Sequence, residues 1–228
     1  RITRGGNVVA EVDLVAEGIL EDTVRERGVP VILVTEDRGA RKVGAGSPEY
    51  VLVADPLDGT TNFRRGIPFF GFSLALAKPT ERPTLSDVFA GLVMDLCHDE
   101  LFTGRRPRAG TGGHVAVPGK LVVSLYAYGA RVDPRYFRLY PHLIVRGMGS
   151  LALEICYVAR GRMDAVMDVR GIARAVDVAG AIPVLEEAGG VITDLDGKGL
   201  DAELDAVPRI SFVAARSDAV RRRLMRLI

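Results

Sequence analysis

Tyr50-Val51-Leu52-Val53-Ala54-Asp55-Pro56-Leu57-Asp58-Gly59-Thr60-Thr61-Asn62-Phe63 is the stretch from which the rest of the chain can be read. Its opening, Tyr50–Ala54, is apolar and β-branched and predicts a buried strand. The strand runs straight into Asp55-Pro56-Leu57-Asp58-Gly59. Pro56 presets the backbone for a tight turn, and Gly59 permits a conformation other residues resist. Two carboxylates three apart around such a turn can face one centre, and hard cations such as Mg²⁺ take oxygen ligands. On those five residues alone, an ordinary surface turn fits equally well. Gly59–Phe63 then adds hydroxyls and free backbone N–H groups at a helix start, where anions bind. An anion such as phosphate beside two carboxylates requires metal between them.

Upstream, Val8, Val9, Val12, Val15, Ala16, Ile19, Leu20 and Val24 recur at three- and four-residue spacing and predict a helix over 7–27. Gly28 and Pro30 end it. Val31–Thr35 reads as a strand, and Arg38–Ser47, with three glycines among charges, as a mobile loop. Downstream, Phe69–Ala77 and Val88–Asp95 read as strands, and the Gly/Pro-rich stretch 105–119 as a linker. Strands are then expected at Leu121–Tyr126, Leu143–Arg146, Ala165–Asp168, Val191–Thr193 and Ser211–Ala214. They alternate with helices at Ser150–Ala159, Val178–Ala188 and Asp218–Leu227, which predicts a largely parallel sheet. Pro183 should kink the helix it falls in. The expected class is α/β: an α+β half over 1–119, carrying Asp13, Glu36 and the Asp55–Phe63 motif, and an α/β half over 120–228, carrying Asp177 and the specificity residues.

Composition narrows the function. The chain has 228 residues, 48% hydrophobic and 26% charged, which is ordinary for a folded protein. Its net charge of +1 argues against a general binder of nucleic acid. Cys97 and Cys156 are far apart, and His98, His114 and His142 are scattered, which argues against a disulfide framework and a Cys or His zinc site. No apolar run approaches the roughly 20 residues of a membrane span. With no secretory pattern at its start, the chain is expected in the cytoplasm. Arginine outnumbers lysine 26 to 4, Gln is absent, and Asn7 and Asn62 are the only asparagines. That bias fits a thermophilic source or a GC-rich genome.

The run Asp55–Phe63, D-P-L-D-G-T-T-N-F, resembles the signature of the inositol monophosphatase family of Mg²⁺-dependent phosphatases. So do Gly66–Phe70 through Ser73–Leu76, Ala175–Gly180 ahead of Glu187–Val191, Val34–Asp37, and the V-D-x-x-A-E stretch that holds Asp13. Val176 stands where the family usually has Trp, with Asp177 kept beside it. The resemblance covers nearly the whole chain and implies a layered αβαβα sandwich and a homodimer.

It also implies roles. Glu36, Asp55, Asp58 and Asp177 match metal ligands, with the Leu57 carbonyl, for two or three Mg²⁺ ions that Mn²⁺ can replace. Gly59 and Thr60 match a phosphate cradle. Thr60 and Asp13 match the pair that activates the attacking water. Gly149 and Ser150 match a substrate loop. Arg170 stands where animal members have a glutamate; with Arg174 it is similar to the archaeal-type branch, which acts on inositol 1-phosphate and fructose 1,6-bisphosphate. Such arginines suit a second phosphate, although a surface or interface ion pair fits them too. The implied substrate is a small sugar or polyol phosphate, hydrolysed by metal-activated water. The alternatives are a 3′-phosphoadenosine 5′-phosphate phosphatase, against which Thr61 in place of Lys argues, and a non-catalytic module tied to RNA or transcription.

Overall fold

The computed structural model describes residues 11–106, 119–129, 133–205 and 207–227. Helix α1 (Glu11–Arg27) is followed by strands β1 (Val31–Thr35), β2 (Gly39–Val43) and β3 (Tyr50–Asp58), then by the short helix α2 (Thr60–Arg65). Strands β4 (Gly71–Ala77), β5 (Val88–Asp95) and β6 (Glu100–Arg105) complete a six-stranded sheet in the order β2-β1-β3-β4-β5-β6. Only β1 and β3 pair in parallel. The segment read as a loop over Arg38–Ser47 contains β2, an antiparallel hairpin partner of β1. Its charged residues sit on an edge strand, where Arg41 and Lys42 reach solvent or ion pairs instead of a core.

A second, five-stranded sheet has the order β10-β11-β9-β7-β8. Its members are β7 (Leu121–Tyr126), β8 (Leu143–Arg146), β9 (Ala165–Arg174), β10 (Val191–Thr193) and β11 (Arg209–Ala215). It is mixed where a largely parallel sheet was expected: β8, β7 and β9 run in parallel, while β11 pairs antiparallel with both neighbours. Residues 107–118, most of the expected linker, lie outside the described residues, as do residues 7–10 of the expected first helix.

Helix α3 (Leu151–Ala159) and the pair α4 (Ala175–Val178) and α5 (Ile182–Glu187) pack between the sheets. Helix α1 covers the outer face of the first sheet at β2 and β3. Helix α6 (Asp218–Met225) and the 3₁₀ turns of Pro134–His142 cover the second. The result is the αβαβα sandwich. β3 is buried along eight of its nine residues because helices lie on both of its faces.

The helix expected over Val178–Ala188 is two. Gly180 turns the chain between them, and Pro183 falls in the first turn of α5, where its missing N–H costs nothing. Gly180 also lies against Gly91 of β5, so closely that a Cβ on Gly91 would stand 2.2 Å from the Gly180 carbonyl oxygen. Glycine here sets how near the middle helices come to the sheet.

Candidate active site

The D-P-L-D-G turn ends β3 at the mouth of a cleft of about 430 Å³ between the sheets. Asp55 Oδ1 accepts a hydrogen bond from the Leu57 N–H at 3.1 Å, which closes the turn. The turn breaks the β3–β4 register between Asp55 and Asp58, which stay paired with Ser73 and Gly71 on either side of the irregularity. Gly59, at φ 96°, then starts α2. A Cβ on it would lie 3.1–3.3 Å from Phe70, the Phe69 carbonyl and the Gly149 carbonyl, so the position suits glycine on two grounds.

Glu36 comes from the end of β1 and Asp177 from α4. Together with Asp55 they each offer a carboxylate oxygen within 4.8 Å of the others. Asp55 and Asp177 are buried. Burial, then the charges of Asp58, Glu36 and Asp177, hold the Asp55 carboxyl well above its usual pKa. Asp177 is raised too, by burial first, against the lowering pull of Arg174. Asp177 Oδ1 accepts no hydrogen bond from the described residues. Such a set of oxygens fits a hard divalent cation, which takes oxygen ligands and would neutralise the mutual repulsion.

Asp58 lines the same cleft but faces a different partner. Its Oδ2 accepts from Ser150 Oγ at 2.6 Å and from the Ala152 N–H at 2.8 Å, capping the first turn of α3. Burial nevertheless lifts its carboxyl to about 7, against those hydrogen bonds. Ser150 therefore serves Asp58, and its own helix cap is taken over by a carboxylate from the other sheet. The Thr60 hydroxyl donates to the Leu57 carbonyl at 3.1 Å. Gly149 lies at the cleft wall, with φ 95°. Asp13 belongs to α1, and its side chain lies outside the described residues.

Both arginines line the cleft. Arg170 is gripped by buried Asp168, with Nη2 to Oδ2 at 2.6 Å, and its guanidinium lies 4.5 Å and 4.7 Å from the ring centres of Tyr126 and Tyr128. Arg174 pairs with Glu36 and, at 3.2 Å, with Asp177 Oδ1. Burial works against its charge, but Asp177 and Glu36 outweigh burial and raise its pKa.

Four further residues shape the site, and sequence reasoning passed over them. Asn62 is buried and donates from Nδ2 to the Phe69 and Met148 carbonyls at 2.7 Å and 2.6 Å, joining the motif to the Gly149 loop. Glu154, fully buried on α3, accepts from Ser124 Oγ, Tyr126 OH and the Met148 N–H. Tyr126 OH in turn accepts from the Gly149 N–H at 2.8 Å, so the Gly149 loop hangs on this network. Glu17 is buried at the cleft wall, with Arg38 Nε 3.2 Å from its Oε2. Its signal was in the sequence: it follows Asp13 by four residues and so shares that helix face. Tyr126 and Glu154 carry no motif.

A crevice between two sheets, walled by carboxylates and opening on a helix start, has the layout of an enzyme that handles phosphate. The chain matches the inositol monophosphatase family over residues 3–225 and belongs to it. It is 35% identical over 233 residues to the fructose-1,6-bisphosphatase/inositol-1-monophosphatase of Methanothermobacter thermautotrophicus, across 95% of this chain and 82% of that protein. It is 27% identical to a bifunctional NADP phosphatase/NAD kinase of Methanococcus maripaludis, across 94% of this chain and 42% of that protein. Among solved structures it is similar to a Pyrococcus horikoshii protein described by its similarities to inositol-1 monophosphatase. That match has a TM-score of 0.80 and 29% identity, and covers 100% of this chain and 88% of the other. Membership of this family supports a phosphoric monoester hydrolase. Among the described residues, no helix is long and apolar enough to cross a membrane.

Proposed function

We propose that this chain is a Mg²⁺-dependent phosphatase that hydrolyses inositol 1-phosphate and fructose 1,6-bisphosphate. The observation that carries this reading is the convergence of Glu36, Asp55 and Asp177 beside the Gly59–Thr60 turn. Glu36, Asp55, Asp58, Asp177 and the Leu57 carbonyl would hold two or three Mg²⁺ ions, with Mn²⁺ able to substitute. When bound, such ions lower the pKa of water and neutralise phosphate charge.

The chain's own groups do the rest. The backbone at Gly59 and Thr60 receives the phosphate at the start of α2. Thr60 and Asp13 orient the attacking water and take its proton. Water adds to phosphorus as the ester P–O bond breaks, and the departing alkoxide takes a proton to leave as the alcohol, with inorganic phosphate. Gly149 and Ser150 line the substrate side, and Arg170 and Arg174 suit a second phosphate. Arg170 is already oriented for this by Asp168 and the two tyrosines. A homodimer in the cytoplasm is the setting we assign.

Phosphate release should be measured with Mg²⁺ from inositol 1-phosphate, fructose 1,6-bisphosphate, 3′-phosphoadenosine 5′-phosphate and NADP in parallel. The first two should turn over best, and chelator should abolish the activity. Preference for either nucleotide would overturn the substrate assignment. Full activity in chelator would overturn the metal assignment.

A further inference from the structure

Arg174 is the last residue of β9, and α4 begins at the next residue. Its backbone N–H donates to Asp177 Oδ2 at 2.8 Å, which fixes the two residues relative to each other. Its guanidinium then turns back onto Glu36 and Asp177, two of the three carboxylates that converge within 4.8 Å. The side chain is 12% exposed, and its buried Nε has no hydrogen-bond partner among the described residues. Arg174 is thus a positive charge tethered in the acidic cluster itself. Arg170, in the same cleft, has its own carboxylate in Asp168 and does not enter the cluster's ion pairs.

A guanidinium is a broad planar fork, whereas Mg²⁺ draws its oxygens to about 2.0–2.1 Å in an octahedron. The two cannot use the same pair of carboxylates in the same way. Resting on the metal reading above, we propose that Arg174 is a built-in competitor for Glu36 and Asp177. It weakens divalent-ion binding at these two carboxylates. Arg174 keeps the carboxylates paired at low metal concentration and sets the concentration at which the site fills.

The test is Mn²⁺ binding to the whole protein, followed by the electron paramagnetic resonance of free aqueous Mn²⁺, with no substrate present. Arg174→Met should tighten one Mn²⁺ site by about ten- to a hundredfold, the scale of one charge-assisted contact. Arg170→Met removes the same charge from the same cleft and should change binding by less than about threefold. That contrast separates competition for ligands from a general field. Arg174→Lys keeps a charge without the fork and should tighten binding by a smaller factor. It carries the test if the Met variant does not fold. Unchanged or weaker Mn²⁺ binding in folded Arg174 variants would overturn the proposal, as would an equal gain in Arg170→Met. If the wild-type protein binds no Mn²⁺, while Asp55→Asn behaves identically, the metal reading itself fails.

Discussion

Asp58→Asn should make the metal-free protein more stable while abolishing its activity. The Asp58 carboxyl is buried and lifted from an ordinary 3.8 to about 7. In the unfolded chain it releases its proton near the ordinary value. Between these limits the folded protein binds more protons than the unfolded one, so stability falls as pH rises and levels off above about 7. At about 1.4 kcal/mol per tenfold, Asp58 costs the fold roughly 4 kcal/mol at pH 8, where it is ionised, and about 1–2 kcal/mol at pH 5, where the fold must keep it protonated. An asparagine removes that cost. Its Oδ1 can still accept from Ser150 Oγ and the Ala152 N–H, so the cap on α3 survives. For a chain of this length 1 kcal/mol moves the Tm by about 2–4 °C. Thermal unfolding in chelator should therefore show the variant about 8–16 °C above wild type at pH 8 and about 3–6 °C above it at pH 5. Phosphate release with Mg²⁺ should drop by orders of magnitude in the same variant. Equal gains at both pH values, or a lower Tm at pH 8, would refute the view that Asp58 is a buried charge awaiting a cation.

If the Thr60 hydroxyl acts on the water and not on the ion, as proposed above, Thr60→Ala should lower kcat about a hundredfold or more while Mn²⁺ binding stays near wild type. A change confined to KM would make Thr60 a binding residue. Asn62→Ala leaves the Phe69 and Met148 carbonyls without their shared donor, at a cost of about 2–4 kcal/mol. The Tm should fall by about 5–15 °C, and kcat/KM should fall with it as the Gly149 loop loosens; an unchanged Tm would show the bonds to be dispensable. In Gly180→Ala a Cβ would stand 2.4 Å from Ser73 Oγ, and the middle helices must move off the sheet. Destabilisation by about 1–3 kcal/mol or more should follow in denaturant titration, and a wild-type midpoint would contradict the close packing.

Local chemistry is what the sequence by itself determined. The apolar run Tyr50–Ala54 and the turn after it place a strand and two carboxylates without reference to any other part of the chain, because a strand's burial and a Pro/Gly turn are short-range properties. The strand at Val31–Thr35, the helix that follows Ser150 and the last helix were legible for the same reason. The edge strands of the first sheet were not. β2 and β6 are half exposed, so their sequences lack the apolar signal, and only pairing with β1 and β5 makes them strands. The mixed second sheet was hidden too, since strand direction is set by how the connections pack and not by the strands' own residues.

The site divides in the same way. Glu36, Asp55, Asp58 and Asp177 announce themselves through motif residues, but their roles diverge only in three dimensions. Tertiary structure gathers Glu36, Asp55 and Asp177 and turns Asp58 to the start of α3. Likewise nothing in the spacing of Arg170 and Arg174 separates them. The fold gives one of them Asp168 and two aromatic rings, and lays the other on Glu36 and Asp177. Whether a charge is paired, buried or poised depends on which distant carboxylates the fold brings within a few ångströms, and Coulomb energy depends on that distance and on the water excluded, not on position along the chain.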